Sequence, residues 1–365
     1  MMDKIKISSH QFTILVSLFV IGDTILFLPS NVTVHGRQDA WISALFALFI
    51  GIICVSIYSY IGTQFNNQTL IEIVESAFGK VIGKGIGVIL VFYFFIDCTV
   101  VLWQVGDFMS SQILIETPIQ FELMIFLSIV IYAIRLGVET FARTTEILFP
   151  IVLILLILLF FFLLPQIDVM KIQPVFESGV KGVLSGSVPL IGYYFETIIL
   201  LMIFPYVNSP KSGTYSYIIG MGIGSILLFM VILLSLLVLG VDITERNIFP
   251  SYLLSKKISI GQFLERIEVI MATIWILTLF VKLTICFYAT SLGISQLLKL
   301  KDYKALLIPL AIITIISSLA SVPNVSYFNQ FVLSTWWVYT STFGLFLPIV
   351  LLIMARIRKK KNLDT

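Results

Sequence analysis

The sequence predicts an all-α polytopic membrane protein with ten transmembrane helices in two halves of five, in which helices one and six are broken. Three observations lead to this prediction: the composition, a series of apolar stretches, and helix-breaking residues in two of those stretches. The 365 residues are 59% hydrophobic and 12% charged, with a mean hydropathy of +1.06. Soluble domains have about 45–50% apolar and about 25% charged residues. The composition therefore argues against a soluble enzyme, a nucleic-acid-binding protein and a disordered chain.

Ten apolar stretches are long enough to cross a bilayer, since a membrane helix needs about 20 largely apolar residues. They do not alternate apolar with polar residues, as the strands of a membrane barrel would. The stretches are 11–33, 40–61, 84–110, 119–137, 141–164, 184–205, 214–240, 264–292, 305–322 and 331–355.

The placement of lysine and arginine predicts the orientation. With the N-terminus inside, the inner segments hold fifteen of these residues and the outer segments six. Both termini are therefore predicted to be cytoplasmic. No hydrophilic stretch is long enough for a second domain. Residues 1–365 are predicted to form a single transmembrane domain, with repeat one over about 8–165 and repeat two over about 180–356.

The connection between helices two and three has helical periodicity. Its apolar residues, among them Leu70, Ile73 and Val74, share one face, and Asn67–Gln68–Thr69 offers a cap. This pattern predicts a short amphipathic helix at the inner interface. A connector is favoured as its role, with a gate as the alternative.

Two of the ten stretches carry helix-breaking residues together with an acid. Helix one contains Ile21–Gly22–Asp23–Thr24, and helix six contains Ser185–Gly186–Ser187–Val188–Pro189–Leu190–Ile191–Gly192–Tyr193–Tyr194–Phe195–Glu196. Breaks in lipid are tolerated where they face protein or a wet cavity, and paired breaks in two repeats indicate a transporter-type binding site. The alternative is that glycine and proline merely permit close helix packing.

Further polar residues are predicted to face the interior of the bundle. Tyr93, Asp97, Gln104 and Asp107 lie on one face of helix three, at i, i+4, i+11 and i+14. In contrast, Trp336, Trp337 and Tyr339 are predicted to form an aromatic belt at the outer interface.

Lys282 lies in the middle of helix eight. A lone charge at the bilayer centre costs about 2.5–3.5 kcal/mol, so Lys282 should have a partner. The candidates are Asp23, Glu196 and Asp97, with Asp23 or a carbonyl of the first break preferred. Lys282 could stand in for a coupling cation or titrate during a cycle; the alternative is a static ion pair.

No catalytic or metal-binding motif is present in the sequence. GxSxG, HExxH and P-loop patterns are missing, the three cysteines lie in apolar runs, and the two histidines are far apart. We therefore predict neither an enzyme nor a cofactor or metal.

Several stretches resemble the spore germinant receptor B subunits, the GerAB-like family of spore permeases. The resemblance runs nearly end to end. It rests on Ile7–Ser8–Ser9–His10–Gln11–Phe12, Gly22–Asp23–Thr24–Ile25–Leu26–Phe27–Leu28–Pro29, Phe195–Glu196, Phe204–Pro205–Tyr206, Leu264–Glu265–Arg266–Ile267–Glu268, Trp275 and Phe280–Val281–Lys282.

The family is similar to the amino acid–polyamine–organocation transporters. This similarity implies a ten-helix bundle made of two inverted five-helix repeats, with a small-molecule germinant pocket near mid-membrane between helices one, three, six and eight. The implied ligand-binding residues are Gly22, Asp23, Thr24, Gly192, Tyr193, Glu196, Lys282 and Cys286; the stripe on helix three adds Asp97. Asp23 is a departure, because the family often has an uncharged small residue there. A carboxylate at this position could select a cationic or hydroxyl-rich ligand, or balance Lys282.

The resemblance also implies partners: an A subunit, a C subunit and the bilayer of the inner spore membrane, with no nucleic acid. Ligand binding would then trigger ion release and germination. A proton-coupled amino acid permease is the main alternative, because one fold hosts many functions. A purely structural membrane subunit without a ligand is the third.

Overall fold

The computed structural model describes residues 6–65, 67–258 and 267–361, with side chains as far as Met354. Leu264, Glu265 and Arg266, which contribute to the resemblance, lie outside the described residues. The described chain is almost entirely helical, and its β-structure is an isolated parallel bridge between Ile7 and Val207.

In the described residues, ten membrane helices follow the ten predicted stretches. In the first half, helix one consists of Ser9–Ile21 and Thr24–Gly36, helix two is Ala40–Gln64, helix three is Lys80–Phe108, helix four is Ile119–Leu136, and helix five is Val138–Leu163. In the second half, helix six is Gly179–Phe195 and is continued by the 3-10 turns Glu196–Met202 and Phe204–Tyr206. Helix seven is Pro210–Leu239, helix eight is Glu268–Leu298, helix nine is Leu307–Ser321, and helix ten consists of Val325–Phe331, Trp337–Ser341 and Leu347–Lys361. π-turns extend helix three over Met109–Ile113 and join the parts of helix ten over Val332–Trp336 and Thr342–Phe346.

By length and composition, the described residues contain nine helical runs able to cross a membrane, and Ser9–Ile21 is a shorter apolar helix. One run, Thr24–Gln64, has 41 residues. A straight helix of that length would measure about 60 Å, twice the roughly 30 Å hydrocarbon core. Arg37, with φ 47°, interrupts it, and the segments on either side pack against each other. Thr24–Gly36 therefore completes the crossing that Ser9–Ile21 begins, which gives ten crossings.

The packing of the two halves is reciprocal. Helix one packs on helix seven, and helix six packs on helix two. Helices two and seven also contact each other, as do helices three and eight. If each helix of the first five is exchanged with the helix five positions later, the contact between helices one and seven becomes the contact between helices six and two, and the other two contacts map onto themselves. This is the pattern expected of two repeats related by a pseudo-two-fold axis.

Helices one, six and eight form the core, and helices four, five and nine surround it. In helix six, 78% of the most apolar window is buried inside the protein, against 22% in helix five. The exposed side chains of the outer helices are mostly large and apolar, as in Ile154 and Ile312, and suit contact with lipid. The broken helices are therefore surrounded by protein, where an interrupted backbone can be satisfied.

The start of helix one is fixed on the membrane side that holds Ile7, which we call the N-terminal side. Ser8 and Gln11 form a capping box. Ile7 exchanges backbone hydrogen bonds of 2.8 and 3.0 Å with Tyr206, at the end of helix six, and with Asn208, in the connection to helix seven. The amphipathic helix predicted after helix two is confirmed as Leu70–Phe78, with a capping box between Thr69 and Glu72.

Candidate functional site

The interruption of helix one is centred on Gly22. The helix ends at Ile21 and resumes at Thr24, and Gly22 has φ 27°, in the region that favours glycine. Space also requires glycine, because an added Cβ would lie 2.6 Å from Cδ of Lys282 and 2.7 Å from the carbonyl oxygen of Phe19. The predicted break in helix one is confirmed.

Side chains satisfy the carbonyls that the break exposes. The Thr278 hydroxyl donates to the carbonyl of Gly22 at 2.9 Å, and the Trp275 indole donates to the carbonyl of Asp23 at 3.2 Å. The Thr24 hydroxyl donates to two carbonyls of the preceding turn. Helix eight thus stabilises the opened backbone of helix one through two hydrogen bonds.

The interruption of helix six begins only at the last residue of the expected 185–196 segment. The α-helix continues through Pro189 and Gly192 to Phe195, and the 3-10 turns begin at Glu196. An internal proline removes one backbone hydrogen bond, and the ladder closes again after it. The Thr197 carbonyl, within the 3-10 segment, accepts from the Tyr217 hydroxyl.

Lys282 joins the two breaks. Its ammonium lies 2.5 Å from Oδ1 of Asp23 and 2.5 Å from Oε2 of Glu196, and its side chain is 1% exposed. The rings of Phe19 and Tyr193 lie 5.4 Å from the same ammonium, within range of cation–π attraction. Lys282 therefore pairs with two of its three predicted candidates at once.

The second carboxylate oxygens of Asp23 and Glu196 also accept hydrogen bonds. Gln104 donates its amide to Oδ2 of Asp23 at 2.9 Å, and the Trp336 indole donates to Oε1 of Glu196 at 2.6 Å. The prediction that Trp336 belongs to an interfacial belt is wrong, since it is 2% exposed and lies at this centre. The π-turn Val332–Trp336 adds one residue to a turn of helix ten, so the side chains that follow lie on a different face of the helix than a regular α-helix would give them.

Asp97 forms a second polar position beside the first. Its Oδ2 accepts from the Cys286 thiol at 3.2 Å, whereas its Oδ1 and the Tyr93 hydroxyl are buried without a hydrogen-bond partner in the described structure. Cys286 follows Lys282 by four residues, one turn along helix eight. Two carboxylates thus contact one ammonium, and a third carboxylate lies about one helical turn away, so the centre can accommodate further positive charge.

Two of the predicted site residues point away from this centre. An added Cβ on Gly192 would lie 3.0 Å from Cα of Trp337, so Gly192 packs on helix ten. The Thr24 side chain bonds to its own helix. Asp107, predicted on the interior stripe, is half-buried and lines a cavity at the side opposite the N-terminal side.

That cavity measures about 320 Å³ and is also lined by Arg246 and Lys256. Four aromatic residues, which we call the aromatic barrier, lie next to it, and two of them line it. The Phe108 ring contacts the other three at centroid distances of 4.7–5.2 Å; these are Phe249, Tyr252 and Trp275. Since Trp275 also bonds to the Asp23 carbonyl, the barrier lies between this cavity and the charged centre.

Ten crossings, two broken helices and a buried charged centre between them define a multi-pass membrane protein with a transporter-like fold. A family model described as "Spore germination protein" matches residues 6–326. The chain belongs to this spore permease family.

Curated relatives agree over almost the whole chain. "Spore germination protein KB" of Bacillus subtilis (strain 168) is 28% identical, covering 99% of this chain and 97% of the relative. "Spore germination protein YndE" of the same organism is 27% identical, covering 97% and 98%. "Spore germination protein XB" of Bacillus anthracis is 25% identical, covering 95% and 98%.

Solved transporter structures share the fold. Mhp1, a nucleobase-cation-symport-1 family transporter in a closed conformation with bromovinylhydantoin bound, superposes with a TM-score of 0.67 at 11% identity, covering 90% of this chain and 75% of Mhp1. MhsT in complex with L-phenylalanine gives a TM-score of 0.65 at 15% identity, covering 94% and 97%. The predicted fold class is therefore confirmed.

Proposed function

We propose that this chain is the membrane-embedded, ligand-sensing subunit of a nutrient germinant receptor, and that a small germinant, an amino acid or a similar nutrient, binds at mid-membrane and triggers germination. The observation that carries the proposal is the meeting of both helix breaks at Lys282, which lies 2.5 Å from both Asp23 and Glu196. Broken helices at matching positions of two repeats are the usual place of a transporter-type site.

A ligand with an amino group would compete with Lys282 for the two carboxylates. An incoming ammonium pairs with Asp23 or Glu196, and Lys282 is then displaced from one of them. A ligand carboxylate would be attracted by the displaced ammonium and by the unpaired backbone N–H groups where helix one resumes at Thr24. Asp97, with one unpartnered oxygen, offers a further position for an ammonium or a hydroxyl group.

The route of entry that we propose leads through the cavity lined by Asp107 and Arg246. The charged centre is closed in this structure, because the Lys282 side chain fills the space between the breaks and the aromatic barrier covers it. Ligand binding would therefore require the aromatic rings to move. Because Trp275 of the barrier lies on helix eight and bonds to helix one, movement of the rings would also move these two helices. This movement is the proposed conformational signal: a ligand that binds the open state more tightly than the closed state shifts the equilibrium between them.

We further propose that the chain lies in the inner membrane of the spore with both termini in the cytoplasm. The distribution of basic residues supports this orientation, and the family supports this membrane. The A and C subunits of the receptor would receive the signal. The outward helices four, five and nine, with their exposed apolar side chains, face lipid or these subunits.

The test compares Glu196→Gln with Glu116→Gln in spores that carry this receptor alone. Glu196→Gln keeps the shape and an acceptor for Trp336 but removes the charge that competes for a ligand ammonium. Glu116 lies exposed in the connection between helices three and four and is the matched control. We expect the germinant concentration for half-maximal germination to shift at least tenfold for Glu196→Gln only, at equal protein level. Unchanged nutrient dependence in both variants would contradict the proposed site.

A proton-coupled amino acid permease is the second candidate. The excess of carboxylates over ammonium groups at the centre favours it, because a site with surplus negative charge can carry a proton together with a ligand. Uptake of radiolabelled amino acids into proteoliposomes separates the two. Accumulation that depends on a proton gradient, by this chain alone, supports the permease; saturable binding without accumulation supports the sensor.

A further inference from the structure

A cavity of about 700 Å³ opens on the N-terminal side, away from the charged centre. It lies between the turn that joins helices four and five, the end of helix eight, and the loop from helix eight to helix nine. Its wall is both polar and apolar: Lys299, Gln296 and Tyr206 contribute polar atoms, and Leu136 and Leu292 contribute apolar surface.

The cavity carries unmatched positive charge. Lys299, Lys301 and Lys304 line it, and within the described residues none of them lies within 4.0 Å of a carboxylate oxygen. Of the two acids at its wall, Glu139 is paired with Arg143 at 2.6 Å, and the Asp302 carboxylate accepts from the backbone N–H of Lys304 at 2.9 Å. The cavity therefore attracts an anion.

Two neutral hydrogen-bond donors also face this region. The amide nitrogen of Gln296 is buried without a partner in the described structure, while its amide oxygen accepts from the Thr69 hydroxyl at 2.9 Å. The Tyr206 hydroxyl accepts from Tyr288 at 3.2 Å, so its own hydrogen remains available. Lysines together with neutral donors suit the oxygens of a phosphate group.

The position of the cavity favours a phosphate on a lipid. Helix eight has 31 residues and is about 46 Å long, so it extends beyond the roughly 30 Å hydrocarbon core into the headgroup region. Leu136 and Leu298, both at this end of the bundle, are 50% and 63% exposed. Acyl chains can lie on this apolar surface while the headgroup reaches the lysines.

We propose that this cavity binds the phosphate headgroup of an anionic phospholipid. Basic pockets between membrane helices are a known form of lipid recognition. The proposal is independent of the germinant site, because the cavity and the charged centre have no lining residue in common.

Binding can be measured on the full-length purified protein in neutral detergent, by titration with phosphatidylglycerol or phosphatidylcholine in mixed micelles. We expect phosphatidylglycerol to bind and to raise the melting temperature, and phosphatidylcholine to do neither. The combined substitution Lys299→Gln, Lys301→Gln and Lys304→Gln should weaken phosphatidylglycerol binding about a hundredfold, since each basic residue near an anionic surface is worth roughly fivefold. Gln296→Leu should weaken it about fivefold, through one lost hydrogen bond.

The matched control is Lys80→Gln, Lys84→Gln and Lys211→Gln, which removes the same charge from the same side outside the cavity. It should bind phosphatidylglycerol like the unsubstituted chain. An equal loss in the control, or equal binding of both lipids, would overturn the proposal. If inorganic phosphate stabilises the protein as much as phosphatidylglycerol does, the site takes a soluble phosphate and the assignment to a lipid is wrong. Helicity and gel-filtration volume confirm that each variant is folded.

Discussion

The Lys282 ammonium lies 2.5 Å from the Glu196 carboxylate, and this contact joins helix eight to the break of helix six. The same ammonium reaches Asp23 in the break of helix one at 2.5 Å. A single side chain thus holds together the two interrupted helices, one from each repeat. Because all three groups are buried, the cost of separating them is far higher than at a surface, where ion pairs contribute about 0–1 kcal/mol.

We expect Lys282→Met to destabilise the protein by about 3–5 kcal/mol, the usual result of removing one partner from a buried ion pair. The two carboxylates would be left without their cation. Thermal unfolding in detergent, followed by circular dichroism, measures the effect. The triple variant Asp23→Asn, Glu196→Gln, Lys282→Met removes all three charges and should recover more than half of the loss. A triple variant no more stable than Lys282→Met would contradict the ion-pair explanation.

Much of this centre could be predicted from the sequence. Gly22 and Asp23 in an apolar stretch indicate a break with an acid, and Lys282 must find a partner because a lone charge in lipid is costly. These arguments rest on the free-energy cost of burying a charged group, which does not depend on how the helices pack. They do not distinguish between the candidate partners of Lys282, and in the structure Lys282 pairs with both Asp23 and Glu196.

The parts that could not be predicted depend on helix geometry and packing. Trp336 reaches Glu196 because helix ten contains π-turns, and π-turns have no clear sequence signal. The family resemblance implies that Gly192 lines the ligand site; in the structure Gly192 permits close contact with Trp337. The helix six break begins later than Pro189 indicates, because one lost backbone bond does not end a well-packed helix.

Trp336→Phe tests the position of the indole. The variant keeps most of the ring volume but removes the 2.6 Å hydrogen bond to Glu196. A hydrogen bond to a charged group contributes about 1.5–3 kcal/mol, and we expect a loss of stability in this range. Trp337→Phe is the matched control, because its side chain is 38% exposed; it should change stability by less than about 0.5 kcal/mol. Equal melting temperatures of the two variants would show that Trp336 contributes no such bond.

Gly22→Ala tests the geometry of the first break. Its positive φ and the 2.6 Å approach to Lys282 oblige an added methyl group to displace the lysine from its carboxylates. We expect a loss of at least about 2 kcal/mol from strain and overpacking. Gly222→Ala is the control, since nothing lies within 4 Å of its added Cβ, and alanine should be neutral or stabilising there. If both variants unfold at the same temperature, the break does not need glycine.

Asp39, in the turn between helices one and two, binds the segment that follows helix five. The buried carboxylate accepts from the backbone N–H groups of Phe176 and Ser178 at 2.6 and 2.9 Å and from the Ser178 hydroxyl at 2.7 Å. These bonds hold the segment after helix five against this turn.

In Asp39→Asn, the amide nitrogen cannot accept a hydrogen bond, and at least one of the three donors loses its partner. A buried unsatisfied donor costs about 1–3 kcal/mol. The local stability of the segment should fall by that amount, so proteolytic cleavage between residues 165 and 183 should accelerate about fivefold or more while global unfolding changes less. The control is Asp242→Asn, because its side chain is 77% exposed and its pair with Arg37 is 3.9 Å long, a contact of little energetic weight. Cleavage of Asp39→Asn at the rate of Asp242→Asn would mean that the carboxylate does not hold this segment in place.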